Sequence, residues 1–248
     1  HVHVAALEMG IVPLRYIRNR ETISTREQLR LAQSRVAVVG AGGLGGQVIL
    51  LLARLGVGEL VVVDRDVFDE TNLNRQALSD RSTLGVSKSK AAAEVVASVN
   101  PAVRVFSRHV RFEPENAREL LAGSDAAVDA LDNIPDRLLL EETAGDLGIP
   151  IVHGALAGLE GQVMTVLPGD KGLRLLYGDS NAGGDASGRP EALLGVPGPT
   201  AALIAALQAS ETMKVLLGRG GVFRNTLVHV DLETGEMNKF LMEDENAL

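Results

Sequence analysis

Residues 35–66, RVAVVGAGGLGGQVILLLARLGVGELVVVDRD, restrict the possible folds more than any other stretch of the chain. The uninterrupted apolar run Val36, Ala37, Val38, Val39 reads as a strand buried on both faces of a parallel sheet. Glycines at Gly40, Gly42, Gly43, Gly45 and Gly46 then let the backbone turn sharply and approach a ligand closely. A helix follows, with Val48, Leu51, Leu52 and Leu55 on one face, and Gly56 and Gly58 end it before a second apolar strand at residues 60–63. Asp64 closes that strand. A strand, a glycine turn, a helix N-terminus and an acid after the next strand compose a mononucleotide site: amides and the helix dipole face phosphate, and the carboxylate faces ribose hydroxyls. The glycines alone would also suit a purely structural turn, so the reading rests on their context.

At 248 residues the chain has room for one large α/β domain with a C-terminal extension. It is 46% hydrophobic but only 3% aromatic, which makes the core one of Val, Leu, Ile and Ala, the residues of parallel strands and their covering helices. A formal charge of -8 disfavours a large nucleic-acid footprint, while local cations remain able to grip a small anion. With no Cys, the sequence offers no disulfide, thiolate metal site or cysteine nucleophile. No apolar run approaches the roughly 20 residues needed to span a bilayer, and a cytoplasmic protein without membrane contact is expected.

Residues 9–31 form a polar lead-in containing RYIRNR at 15–20, whose arginines, Arg18 among them, suit a solvated helix face. After Asp66 the segment ETNLNRQ, with Asn72, Arg75 and Gln76, has no apolar period and reads as a loop near the carboxyl ends of the strands. A helix follows, capped near Ser87 and stopped at Asn100-Pro101; Lys88 in its first turn opposes the helix dipole, which points to an anion nearby. Residues 103–110 read as a third strand, residues 114–123 as a short helix and residues 126–131 as a fourth strand ending in Asp132 and Asn133. A helix over 135–147 and a strand over 150–155 complete the βα alternation of a Rossmann-like doubly wound, mostly parallel sheet. Beyond it the pattern becomes mixed or antiparallel: a strand at 162–167, a Gly- and Asp-rich surface loop at 179–189, a long helix at 199–217 and a hairpin over 227–241. Gln208, Glu211 and Lys214 interrupt the apolar face of that long helix and argue against a membrane span.

Charge separates two nucleotide classes. A pyrophosphate carries about two charges, which amides and a dipole largely satisfy; a triphosphate carries about twice that and needs cations and a metal. Arg75 and Lys88, with Asp132 as a candidate Mg²⁺ ligand, favour ATP. Each also has an ordinary explanation: a solvated loop cation, an exposed helix residue, and an N-cap for the helix at Pro135.

Together RYIRNR, GAGGLGGQ, VVVDRDVFDETNLNRQ, the G-x-x-K of residues 85–88, ALDNIPDR, GQV at Gly161 and GVPGP at 195–199 resemble, in this order, the ThiF/MoeB/HesA family of ubiquitin-activating-type adenylyltransferases. The resemblance implies an N-terminal helical arm (1–34) and a ThiF-type adenylation domain (35–248), with a nucleotide-binding half (35–155) and a carrier-binding, crossover half (156–248). It implies that Asp64 holds the ribose, that Asn72 and Arg75 contact phosphates, that Lys88 lies along the triphosphate and that Asp132 coordinates Mg²⁺. Arg18 resembles the arginine that reaches the phosphates from a partner subunit, which implies a homodimer.

The reaction so implied is attack of the C-terminal carboxylate of a small ubiquitin-fold sulfur carrier on the α-phosphate of ATP. A carboxylate is ionised at pH 7, so no general base is required. Relatives that hold zinc between Cys-x-x-Cys pairs have the first pair where this chain has Gly172 and Leu175; no zinc is expected, and Leu175 and Leu176 are candidate apolar replacements. Without a thiol the chain stops at the adenylate. Activation of another carboxylate, on a peptide or a modified tRNA, is a second reading, and an NAD-binding dehydrogenase a third that leaves Arg75, Lys88 and Asp132 unexplained. His109, His153 and His229, in or beside strands, read as structural.

Overall fold

A computed structural model describes residues 2–178 and 193–242. Among the described residues the sheet has eight strands in the order β3-β2-β1-β4-β5-β6-β7-β8. β1 (Arg35–Val39) pairs in parallel with β2 (Glu59–Val63) on one side and β4 (Ala126–Asp129) on the other, with β3 (Arg104–Arg108) beyond β2 and β5 (Ile151–Ala157) beyond β4. β6 (Glu160–Val166), β7 (Thr226–Asp231) and β8 (Glu236–Leu241) then add antiparallel. Chain order reverses between β1 and β4, so a crevice opens there at the carboxyl ends of the strands.

Alternation along β1 divides the core. Val36 and Val38 face α3 (Gly43–Leu55), α4 (Lys88–Val99) and the long helix, which is α8 in chain order (Gly198–Leu217). Ala37 and Val39 face α5 (Pro114–Leu121) and α6 (Ile134–Leu147). Both layers are needed because a parallel strand buries both faces. On α3, Val48 and Leu52 are fully buried as the pattern predicts, joined by Ile49 and Ala53, while Leu51 and Leu55 lie at the margin.

The third strand is shorter than predicted. β3 is an edge strand whose register with β2 ends at Arg108, and the chain then turns away with the His109 ring 2.8 Å from the Arg65 carbonyl. α8 is long and apolar enough to cross a membrane, yet its polar residues serve the interior: Gln208 donates to the carbonyls of Asp129 and Val152 at 2.9 and 3.0 Å, and Glu211 accepts from Thr165 at 2.8 Å.

The residues before β1 form α1 (Val2–Glu8), a 3₁₀ turn (Leu14–Asn19) and α2 (Thr25–Gln33), the last held by a Ser24–Glu27 capping box. RYIRNR divides its labour. Tyr16 plugs the core and accepts from Asn100 at 2.9 Å, Arg15 donates to the Val99 carbonyl at 2.9 Å, and Arg18 is exposed. The segment at 179–189, read as a surface loop, lies outside the described residues.

Candidate nucleotide site

A cleft of about 480 Å³ occupies the crevice between the ends of β1, β2, β4 and β5. Its floor is the first turn after β1. Gly40 has φ +96°, and a Cβ there would strike the Ala130 carbonyl, so this corner requires glycine. Gly42 is the N-cap of α3 and carries no side-chain cap, so the first-turn amides are left to the cleft. A Cβ at Gly42 or Gly43 would meet nothing nearer than 3.6 Å, so the space above these residues is open. Gly45 differs. It does not line the cleft, and a Cβ there would collide with the Gly40 carbonyl, which makes it the residue that lets α3 lie against the end of β1.

Asp64, leaving β2, braces the turn: its Oδ2 accepts from Ala41 N at 2.7 Å and its Oδ1 from Asp66 N at 2.7 Å. Burial pushes its carboxyl up, against the pull of those two amides and of Lys88. The 3₁₀ turn Glu70–Asn72 sets the next wall, with Asp69 and Asn72 capping each other. Asn72 and Gln76 are buried, and Arg75 donates to the Thr71 carbonyl at 2.8 Å and to Asn74 Oδ1 at 2.9 Å. Lys88 opens α4 at 7% exposure, its ammonium 3.5 Å from Asp66 and over the Phe68 ring. The anion that the helix pattern called for is thus supplied by the protein itself, through Asp66. Ser87 is the N-cap residue, but its hydroxyl pairs with Ser89 at 3.1 Å and does not cap.

The opposite wall is the turn after β4. Asn133 caps α6 by accepting from Asp136 N at 2.9 Å and donates to Asp132 at 3.2 Å. Asp132 therefore does not serve as the cap, and it faces the cleft. The structure gathers Gly40, Gly42, Gly43, Asp64, Asp66, Asn72, Arg75, Gln76, Lys88, Asp132 and Asn133 around one space, and leaves Gly45 and Arg18 outside it.

At and behind that wall lie three buried residues: Asp129 and Arg137, to which the sequence reading gave no role, and His153, which it read as structural. Arg137 and Asp129 lie 3.3 Å apart, and His153 is 2.7 Å from the same carboxylate oxygen. An acid inside the apolar run AAVDAL, read as a strand over 126–131 but ending at Asp129 in the structure, was the available signal, since a buried carboxylate needs partners. Burial opposes ionisation of Asp129, but Arg137 and His153 outweigh it and hold its carboxyl below the usual range. Burial pushes the His153 imidazole down, so it stays neutral.

Around Gly172 and Leu175 the closing contacts are local. Leu173, opening α7 (Leu173–Tyr177), is fully buried, its amide donates to Glu141 at 2.6 Å, and Leu176 and Tyr177 pack beside it. The anchor is therefore Leu173; Leu176 joins the packing as expected, and Leu175 is not part of that cluster.

A doubly wound sheet whose switch point carries a glycine turn, a braced acid and convergent cations defines a nucleotide-binding protein of Rossmann-like type. The ThiF family pattern matches residues 16–247, and the chain belongs to the ThiF family. It is 41% identical over 212 residues to the SAMP-activating enzyme E1 of Haloferax volcanii, covering 85% of this chain and 77% of that protein. To the sulfur carrier protein adenylyltransferase of Thermus thermophilus it is 40% identical over 199 residues, 78% and 73% of the two chains. Its fold matches that of E. coli MccB in complex with MccA-N7isoASN at a TM-score of 0.81 and 18% identity, over 95% of this chain and 74% of the other.

Proposed function

We propose that this chain is an ATP-dependent adenylyltransferase that activates the C-terminal carboxylate of a small ubiquitin-like sulfur-carrier protein and contributes no cysteine of its own. The observation that carries this reading is the convergence of Arg75 and Lys88 on a glycine-floored cleft, across from Asp132. The names of its relatives, a SAMP-activating enzyme and a sulfur carrier protein adenylyltransferase, support it.

The residues fit ATP. The open floor at Gly42 and Gly43 admits phosphate, and Gln76 Oε1 is buried with no hydrogen-bond partner among the described residues. Asp64 would take the ribose, Asn72 and Arg75 the phosphates, and Lys88 the triphosphate once its ammonium leaves Asp66. They also fit magnesium. Among the described residues no group of three acids or histidines could hold a metal alone, but magnesium is commonly held by one or two carboxylates and the phosphates of a nucleotide, and Asp132 is such a carboxylate. The ion would supply charge neutralisation at the phosphates.

In the reaction a carboxylate oxygen of the carrier bonds to the α-phosphorus, the bond from that phosphorus to the bridging oxygen breaks, and pyrophosphate leaves with the electron pair. No proton moves at the nucleophile. The protein's part is to align the reactants and to place Arg75 and Lys88 where charge builds on the leaving group. Arg18, exposed and away from the cleft of its own subunit, would complete the cation set across a homodimer. Mass spectrometry of a carrier incubated with the chain, ATP and magnesium tests the reading: an AMP adduct on the carrier's last residue is expected. An adduct formed only on short peptides would favour the second carboxylate class.

A further inference from the structure

A chain of polar contacts, part-buried at Gln162 and Tyr177 and buried from His153 onward, runs from β6 to the turn that carries Asp132. Gln162 donates to Tyr177 Oη at 3.0 Å, and Tyr177 Oη lies 3.1 Å from His153 Nε2. His153 Nδ1 lies 2.7 Å from Asp129 Oδ2. A carboxylate only accepts, so Nδ1 carries the proton and Nε2 accepts from the tyrosine. Arg137 Nη1 is 3.1 Å from Nδ1, but both atoms are donors there; the guanidinium instead donates to Asp129 at 3.3 Å, to the Gly154 carbonyl at 2.9 Å and to the Leu131 carbonyl. Asp129 Oδ1 accepts from Leu131 N at 3.0 Å. Each link thus has one donor and one acceptor, and its far end fixes both the amide and the carbonyl of the residue before Asp132.

We propose that Tyr177 and His153 are positioning residues for the nucleotide site: through Asp129 and Arg137 they hold the turn presenting Asp132, so that contacts made by α7 set the geometry in which metal and nucleotide are bound. The proposal rests on the reading of Asp132 as the carboxylate facing the metal. Three observations carry it. Asp129 and His153 are fully buried and Arg137 is 4% exposed, so a partner lost between Asp129 and His153 leaves a buried polar group unpaired. Leu131, Asp132, Asn133, Arg137 and Gly154 all line the cleft, so a shift of the relay moves its wall. Gln208, from α8, donates to the carbonyls of Asp129 and Val152, and its amide fills the space a side chain at Gly154 would need, so the relay has no slack toward α8.

Calorimetry with a non-hydrolysable ATP analogue, with and without magnesium, tests this without turnover. Tyr177→Phe removes only the hydroxyl; His153→Asn keeps a donor near Asp129 but cannot reach Tyr177. Both variants should bind the magnesium-free analogue within about twofold of wild type and lose about tenfold of the gain that magnesium confers, the scale of losing a partner behind a metal ligand. Asp132→Asn should lose that gain too, and adding Tyr177→Phe to it should cost nothing more, because the two act through one element. An undiminished magnesium gain in Tyr177→Phe, losses that add in the double variant, a wild type that gains nothing from magnesium, or a Tyr177→Phe chain that does not fold would each overturn the proposal. A wild type that binds magnesium and analogue but makes no AMP adduct would overturn the adenylation reading and leave the relay standing.

Discussion

Lys88 carries two assignments, a paired one in this structure and a reactive one in the proposed chemistry. Its ammonium is 3.5 Å from a carboxylate on Asp66 that is 56% exposed, a pair worth little to stability. Exchanging Asp66 for phosphate is therefore inexpensive. Lys88→Ala and Arg75→Ala should lower carrier-dependent ATP–pyrophosphate exchange by at least about a hundredfold, as loss of a transition-state cation does, and leave the circular dichroism spectrum unchanged. Arg18→Ala should do the same, and mixing it with Lys88→Ala should restore part of the activity, since a mixed dimer rebuilds one complete site. Verified mixed dimers that stay inactive would place Arg18 outside the partner's site.

Glycines at the head of α3 show how an element turns sequence into a site. Gly43 and Gly45 are two residues apart on one helix, and sequence alone treats them alike. In the structure a Cβ at Gly43 meets Arg75 Cγ at an ordinary 3.6 Å, whereas one at Gly45 collides with the backbone of Gly40. Gly43 opens α3 with a backbone that alanine can adopt, and such a Gly→Ala change stabilises by about 0.4–1 kcal/mol, so Gly43→Ala should melt no lower than wild type and bind ATP more weakly. Gly45→Ala should lose about 2 kcal/mol or more in urea unfolding, the range of core overpacking; equal stabilities would remove the distinction. The β1-turn-α3-β2 unit was legible because apolar runs and glycines are local signals. Local pattern also singled out Asp132, which lines the cleft, and the capping role that was its ordinary alternative falls to Asn133, since the two are neighbours and both suit it. The relay of Asp129, Arg137, His153 and Tyr177 was not legible: its members lie on four elements, and each taken alone has an ordinary explanation. RYIRNR reads as one charged helix face because nothing local shows that Tyr16 reaches Asn100 across 84 residues.

For the molecule as a whole, a neutral histidine in the core sets an acid limit on stability. Burial lowers the folded-state pKa of His153, so below the ordinary value of 6.5 the unfolded chain binds a proton that the folded chain refuses. Stability from this group is intact above that value and falls as the pH drops through it. Asp64 and Glu141, raised by burial, act with the opposite sign, so the comparison must be made against a variant. The drop in urea midpoint between pH 7.5 and pH 5 should be smaller in His153→Gln than in wild type, and an identical drop would show that His153 titrates alike in both states. The described residues beyond β5 belong to the same body as the nucleotide cleft, since β5 joins β6 and α8 packs on α3. Adenylation is the claim on which these readings converge. Carrier-dependent ATP–pyrophosphate exchange tests it most directly: a ubiquitin-like sulfur carrier should stimulate exchange in the presence of magnesium, and removing the carrier's terminal residue should abolish it. Exchange that is absent with every such carrier, or indifferent to the carrier's C-terminus, would contradict the account.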